Sequence, residues 1–321
     1  MRNIQWLGGA VLALVGGWPA AAQNFPTKPV RIVVPFAAGG GVDVVARTTA
    51  RYLGAEFGQP TVVENRAGAS GNLGADLVLK AERDGHTLLI SASTLVVNPV
   101  VSATPPAFDP LTGFTFLALI AKGPLLFIVH PDVAGSVQEF VAKAKTNPAG
   151  FNFATGGYGS AGHMAAEAFK LEAGLAIPVV LYSGTGPAIN DLLGGHISGL
   201  MDPLVTSLPL ATSGRARALA LSNPRRLALA PEVPTFAEAG FGAFEFYTWY
   251  GLWGPAELPA DVVARISAAM TTIGKNGEAA AWFEGQGLEY SGIGGAPFLA
   301  FARSEQVRYD DIVKRGRLTR Q

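Results

Sequence analysis

The sequence predicts an α/β protein built from two similar units with a cleft between them. Three observations predict it. Short apolar, β-branched runs alternate with helically spaced segments at the lengths expected of parallel sheets. The order strand, glycine turn, helix occurs over residues 30–57 and again over 151–173. The chain also carries 40 glycines and 22 prolines in 321 residues, enough for many tight connections.

The first unit opens with VRIVVPF, a run suited to a strand buried on both faces. A helix follows, with apolar positions at Val42, Val45, Ala46, Thr49, Ala50, Leu53 and Phe57. Between them Gly39, Gly40 and Gly41 leave the backbone open. Free N–H groups beside the positive end of a helix make an anion site in outline. A phosphate loop would need Gly-Lys-Ser/Thr, and Val42-Asp43 stands there instead. A dinucleotide fingerprint would need glycine at Val44, although Glu64 lies near the distance of a ribose-binding acid. The plainer reading is a tight turn with Asp43 complementing the helix dipole.

Composition narrows the field. Lys+Arg and Asp+Glu are 24 each, so no net charge favours nucleic acid or an anionic membrane surface. The absence of cysteine excludes disulfides and a thiolate nucleophile. Residues 1–22 combine Arg2, an apolar stretch and Ala20-Ala21-Ala22, the layout of a secretory leader cleaved near Ala22. The expected location is therefore outside the cytoplasm.

Further strands are expected over 61–64 and 87–91, with a helix over 70–80 between them. Two apolar runs, 116–121 and 125–130, flank a break at Lys122-Gly123-Pro124, read as a crossing between units. Ser136 and Glu139 form a capping box for a helix ending near Thr146. In the second unit the strand 151–155 leads into Gly156-Gly157-Tyr158-Gly159-Ser160 and a helix over 161–173. Strands over 177–182, 197–201 and 216–222 follow, with a helix ending near Leu193 between the first two. The aromatic stretch 246–254 reads as the return crossing. Helices from Pro259 to about Gly274 and over 296–316 close the chain. The expected division is 23–124 with 246–321 as one lobe and 125–245 as the other.

No catalytic set emerges. His86, His130, His163 and His196 show no metal-binding spacing, and neither Ser70 nor Ser160 sits in a hydrolase elbow. His163 is of interest because it falls in the first turn after the second glycine loop. Asp43 and Asp202 approach one another only if the lobes close. The remaining polar residues stand at strand ends: Ser91, Ser93, Thr94, Thr155, Ser160, Tyr182, Ser183 and Thr185. One such residue alone reads as a cap or turn. As a group, with glycine N–H donors and Phe36, Tyr158, Trp249 and Tyr250 nearby, they suit a small anion held without a cationic partner.

These residues carry a family likeness. Pro26-x-Lys28-Pro29, Pro35-Phe36-x-x-Gly39-Gly40-x-x-Asp43, Glu64-Asn65-Arg66-x-Gly68, Asp84-Gly85-His86-Thr87, Gly159-Ser160-Ala161-Gly162-His163, Tyr182-x-Gly184-x-x-Pro187, Asp191-Leu192-Leu193-Gly194-Gly195 and Trp249-Tyr250-Gly251 run through the mature chain. It resembles the periplasmic substrate-binding proteins of tripartite tricarboxylate transporters, the Bug-type receptors. The resemblance implies a two-lobed venus-flytrap receptor, each lobe a mostly parallel sheet flanked by helices. Such a receptor closes over a di-, tri- or aromatic carboxylate, partly through ordered water, and delivers it to integral-membrane subunits. It implies no enzyme activity, cofactor, metal or nucleic acid, and a monomer. It places Phe36, Ala38, Gly39, Gly40 and Asp43 at the ligand, with Thr155, Gly156, Tyr158 and Ser160 opposite. Ser91, Ser93, Thr94, Tyr182, Ser183, Thr185, Gly186, Pro187 and Asp202 complete the cleft. One departure stands out: the position of Ser183 is often lysine. Its loss removes a cationic contact to a second carboxylate and favours an aromatic or monocarboxylate ligand walled by Phe36, Tyr158 and Trp249. The other readings are a sensory receptor using the same cleft and a nucleotide-dependent enzyme using the first glycine loop.

Overall fold

The computed structural model describes residues 25–316, so the expected leader lies outside the described residues. The elements follow in order: β1 (Val30–Val34), α1 (Gly41–Phe57), β2 (Thr61–Asn65), a 3-10 turn (Ala69–Gly71), α2 (Asn72–Leu79), β3 (Thr87–Ala92) and α3 (Thr94–Val101). Then come β4 (Phe114–Val129), α4 (Val137–Thr146), β5 (Phe153–Thr155), α5 (Ala161–Ala173), β6 (Val179–Leu181) and α6 (Thr185–Leu193). The remainder is β7 (Gly199–Pro203), α7 (Leu204–Thr212), β8 (Arg217–Leu221), β9 (Tyr247–Pro255), α8 (Ala260–Lys275), α9 (Gly277–Gly285), β10 (Glu289–Tyr290) and α10 (Gly295–Gly316).

The two expected units appear as two lobes of one curled sheet. In the first, β2, β1 and β3 pair in parallel. In the second, β6, β5 and β7 do the same. Each parallel trio grows from βα units whose helices cover its faces. Among the described residues the antiparallel pairs all involve β4 or β9, and β4 is the long strand that passes from one lobe into the other.

The expected break at Lys122-Gly123-Pro124 is not a break. β4 runs through it as one strand of 16 residues. β9 lies beside it and holds Lys122, Gly123 and Pro124 in register with Trp249, Thr248 and Tyr247. Pro124 stands where partners change, since Leu125 is the first residue in register with β7. A missing N–H does least harm at such a point. The N–H of Leu125 instead meets the buried Ser222 hydroxyl at 2.8 Å.

Other expectations hold in detail. Ser136 accepts the Glu139 N–H at 3.1 Å, but the Glu139 carboxylate reaches back to the N–H of Gly135, one residue before the cap. Helices α3 and α7 form where only polar or proline-containing loops were expected. Pro99 and Pro209 lie inside them. In α3, burial of Leu95, Val96, Val97 and Val101 outweighs the proline penalty. The core of the second lobe is a phenylalanine cluster: Phe127 packs edge-on to Phe140 with centroids 5.0 Å apart and lies against Phe153 and Phe169.

Helix α10 is bound to the return strand by one carboxylate. Glu305 is 2 % exposed. It accepts the Tyr247 hydroxyl at 2.6 Å and Trp249 Nε1–H at 3.1 Å. Replacing Glu305 with alanine leaves both donors buried and unpaired. It should cost about 2–4 kcal/mol and lower the melting temperature by about 5–10 °C, with Glu305→Gln less severe. Calorimetry of the three proteins checks this, and equal melting temperatures would refute it.

Candidate functional site

The lobes meet around a small cavity. From the first lobe it is lined by Phe36 and Ala37 after β1, Gly40 to Asp43 at the start of α1, and Ala92 and Thr94 at the β3–α3 junction. Gly156, Gly184, Thr185 and Pro203 line it from the second lobe, and Thr248 and Tyr250 from β9. Its volume is about 50 Å3. That is room for ~4 waters, at about 10–15 Å3 each.

Helix starts dominate the lining. α1 is preceded by Gly40, α3 by Ser93, α6 by Gly184 and α7 by Pro203, and none is capped by a side chain. Of the helices that start elsewhere, α4, α5 and α9 are capped by Ser136, Ser160 and Asn276, and α2 and α8 are not. An uncapped start leaves N–H donors and the positive dipole end available to a ligand. Pro187 sits in the first turn of α6, where its missing N–H removes nothing. Among the described residues no lysine or arginine lines the cavity.

Direct contacts hold the lobes together. The Ala37 N–H donates to the Ser183 carbonyl at 2.8 Å. The Tyr158 N–H donates to Ser70 Oγ at 3.0 Å, its carbonyl accepts Asn98 Nδ2 at 3.1 Å, and its hydroxyl donates to the Val101 carbonyl at 3.1 Å. Glycine makes the closest approach possible. A Cβ on Gly186 would stand 2.2 Å from the Ala38 carbonyl oxygen. Gly39 holds a φ of 84°, which turns the loop toward α6.

The predicted residues divide into three groups. Phe36, Gly40, Asp43, Thr94, Gly156 and Thr185 line the cavity, with Ala38, Gly39, Gly186 and Pro187 packed in the loops that form it. A second group braces those loops. Asp43 accepts from the Gly39 N–H, Arg47 Nε and Asn65 Nδ2 at 2.9–3.0 Å. Burial would raise its pKa, but these hydrogen bonds outweigh burial and hold it below the usual carboxylate range. Thr155 and Ser160 share a hydroxyl contact at 2.9 Å, and Ser160 caps α5 through the His163 N–H. Tyr158 spans the lobes.

The third group turns away from the cavity or lies beside it. Trp249 points to Glu305, because residues alternate along β9 and its neighbours Thr248 and Tyr250 take the cavity face. Tyr182 donates to Asp191 at 2.6 Å. The Ser183 side chain is exposed, and its carbonyl does the bridging. Ser91 and Ser93 are buried beside Ala92 without lining the cavity. Asp202 is fully buried, next in the chain to Pro203, and donates nothing to the lining. Thr206 Oγ1 donates to its Oδ2 at 2.5 Å. Burial pushes its pKa up to about 7, although the Thr206 and Thr185 hydroxyls act to lower it. Pro203 and Thr248 were not foreseen; Gly41 and Tyr250 were expected near the site, and Ala37, Val42, Ala92 and Gly184 fall within loops expected at the ligand. The alternation of Phe-Tyr-Thr-Trp-Tyr was the signal for Thr248.

His163 is structural. Its Nδ1 accepts the Gly159 N–H at 3.3 Å and its ring lies 4.5 Å from that of Tyr158. Among the described residues no cluster of His, Asp and Glu could hold a metal ion.

Two α/β lobes joined through one long strand, with helix starts from both facing a shared cavity, define a solute-binding protein. The comparisons agree. The model of the TctC family, the tripartite tricarboxylate transporter family receptors, matches residues 45–318, and the chain belongs to that family. It is 34 % identical over 251 residues to protein BugT of Bordetella pertussis, covering 78 % of this chain and 77 % of BugT. A protein of R. palustris solved with adipate is 31 % identical, with a TM-score of 0.87 over 91 % of this chain and 98 % of its own. MatC from Rhodopseudomonas palustris, solved with bound malate, is 28 % identical, with a TM-score of 0.84 over 90 % of this chain and all of its own.

Burial holds His163 at about 4, below its ordinary 6.5. The unfolded chain therefore takes up a proton in that window while the folded chain does not, and stability falls as pH falls through it. Between about pH 7 and pH 5 the loss should be about 2 kcal/mol from this residue. His163→Gln keeps an acceptor for Gly159 and should lose correspondingly less stability over the same range in urea titrations. Identical pH dependence in both proteins would refute the assignment.

Proposed function

We propose that the chain is a periplasmic receptor that closes its two lobes over a short aliphatic carboxylate and delivers it to the membrane subunits of a tripartite transporter. One observation carries the reading: α1 from one lobe and α6 from the other turn uncapped N-termini toward one small cavity that no cationic side chain of the described residues lines. Backbone N–H groups and the Thr94, Thr185, Thr248 and Tyr250 hydroxyls are the donors for a carboxylate there. Its size suits a short acid and excludes a dinucleotide. Of the three aromatic walls expected, only Phe36 lines the cavity, since Trp249 faces the core and the Tyr158 hydroxyl is bound to Val101; Tyr250 is the other aromatic in the lining and presents its hydroxyl. That favours an aliphatic ligand over an aromatic one.

In this reading residues 23–124 and 246–321 form one lobe and 125–245 the other. The change of partners along β4 between Pro124 and Leu125 supports that boundary. Residues 1–22 act as an export leader. The work is capture: the ligand adds contacts to both lobes and shifts the population toward the closed form. It requires no catalytic group.

The direct test is thermal unfolding of the mature protein with malate, adipate, citrate and benzoate, with NAD and ATP as controls. A ligand at 100 times its dissociation constant should add about 2.7 kcal/mol and raise the midpoint by several degrees. An aliphatic acid should do so and the nucleotides should not; a response to nucleotide alone would overturn the proposal. Gly186→Ala tests closure. The added methyl meets the Ala38 carbonyl only when the lobes meet, so affinity should fall about 5–150-fold, the equivalent of ~1–3 kcal/mol of overpacking. Alanine suits a helix better than glycine, so the free protein should melt no lower. Unchanged affinity would show that the lobes do not close this far on the ligand.

A further inference from the structure

Two buried polar atoms, Asp202 Oδ1 just behind the cavity wall and the Tyr250 hydroxyl in it, have no partner in good hydrogen-bond geometry, although the Thr185 and Thr248 hydroxyls stand near enough to act on them electrostatically. Both residues are 0 % exposed. Tyr250 lines the cavity from β9. Asp202 lies just behind the wall, joined to Pro203 and beside Thr185, both of which line it. Buried polar atoms are nearly always paired, so an unpaired acceptor and an unpaired hydroxyl at one cavity mark where a ligand or its water is held.

The groups around Asp202 contain no cation to balance a second negative charge. Thr185 faces it from α6, Thr206 from α7 and Tyr250 from β9. β4 sets Leu126 in register with it. α5 packs Gly162 against the Met201 carbonyl and carries His163, which burial keeps neutral above about 4. Across the cavity α1 presents Asp43, an anion already paired with Arg47. A carboxylate brought into this water-poor space beside an ionised Asp202 would set two anions together. Like charges at such range share a proton.

We propose that the ligand carboxylate is captured together with one proton, which passes from solvent to Asp202, so that the closed site holds one carboxylate beside one neutral carboxylic acid. The inference rests on the carboxylate reading above. No bond other than the new O–H forms, and the proton matches the charge of the one carboxylate that enters beside Asp202; the second carboxylate of malate or adipate keeps its own charge and takes no part in the step. Asp202 is suited to the task because burial already places it at about 7, so a nearby anion needs to raise it little. The other groups hold their charge through the neutral range. Burial and the neighbouring Asp202 keep Tyr250 protonated, and its hydrogen bonds keep Asp43 ionised.

The experiment is calorimetric titration of the mature protein with malate and with adipate. It is run from about pH 6 to about pH 9, in two buffers of different ionisation enthalpy. At about pH 8 each bound ligand should take up about one proton, and above neutrality affinity should fall toward tenfold per pH unit. At about pH 6 the uptake should vanish, because Asp202 already carries the proton. Asp202→Asn keeps an oxygen for Thr206 and a donor for the ligand. It should bind with affinity flat across this range and no proton uptake. Binding by the parent protein without uptake, or affinity that rises with pH as a ligand ammonium or hydroxyl donating to ionised Asp202 would give, overturns the inference and leaves the carboxylate reading intact. If neither acid binds at any pH, the carboxylate reading fails and this inference fails with it. If Asp202→Asn does not fold, the proton count of the parent protein decides alone.

Discussion

The antiparallel pairing of β4 with β9 is the interaction on which the rest of this molecule depends. Nine residues of β4 pair with nine of β9 in register from Phe114↔Pro255 to Pro124↔Tyr247. The same β4 then carries the ladder into the second lobe. The lobes are thus joined through one strand that is hydrogen-bonded on both sides of the boundary, not as beads on a linker. Such a joint resists stretching and sliding and leaves twist and bend at the point where its partners change. The freedom left to the lobes is the freedom to open and shut over the cavity at their junction, which is the motion a capture protein needs.

The site follows from that placement. β-α turns put the starts of helices at the carboxyl ends of parallel strands, and the joint turns those ends of the two lobes toward each other. The cavity is therefore rich in backbone N–H donors, and its one ionised side chain among the described residues, Asp43, is already engaged by Gly39, Arg47 and Asn65. Fixed dipoles attract an anion without the desolvation that a buried lysine would cost. The charged residues nearby are spent on rigidity: Asp43 holds the first glycine loop through Gly39, Arg47 and Asn65. Tyr158 joins the second loop to the opposite lobe through its N–H, carbonyl and hydroxyl. Much of the apparent ligand set of such a cleft is machinery that shapes the loops.

Local pattern made part of this legible in the sequence. The strand, glycine turn and helix of residues 30–57 read correctly because β-branched burial and 3.6-residue spacing are both strong there. The helix over 161–173 read to the residue, because Ser160 caps it and Gly174 ends it. Elements whose existence depends on tertiary burial were not legible. Helices α3 and α7 contain prolines, and β4 crosses a Gly-Pro pair only because β9 lies alongside it. In the site, residue type located the loops but not the direction of side chains. Trp249 looked like a wall of the cleft, and only the phase of β9, fixed by pairing with β3 and β4, sends it to Glu305 instead. Asp202 carried no sequence signal of its burial, because an Asp-Pro step usually marks an exposed turn.

The pairing of Pro124 with Tyr247 has a consequence for how such chains diversify. The 122 residues between them leave and re-enter the β4–β9 pair side by side, at positions already hydrogen-bonded as neighbours. A segment whose ends coincide can be exchanged between relatives, or shuffled by recombination, without respacing the strands that receive it. The second lobe is in this sense a cassette, and the part of the cavity lining made by Gly156, Gly184, Thr185 and Pro203 travels with it.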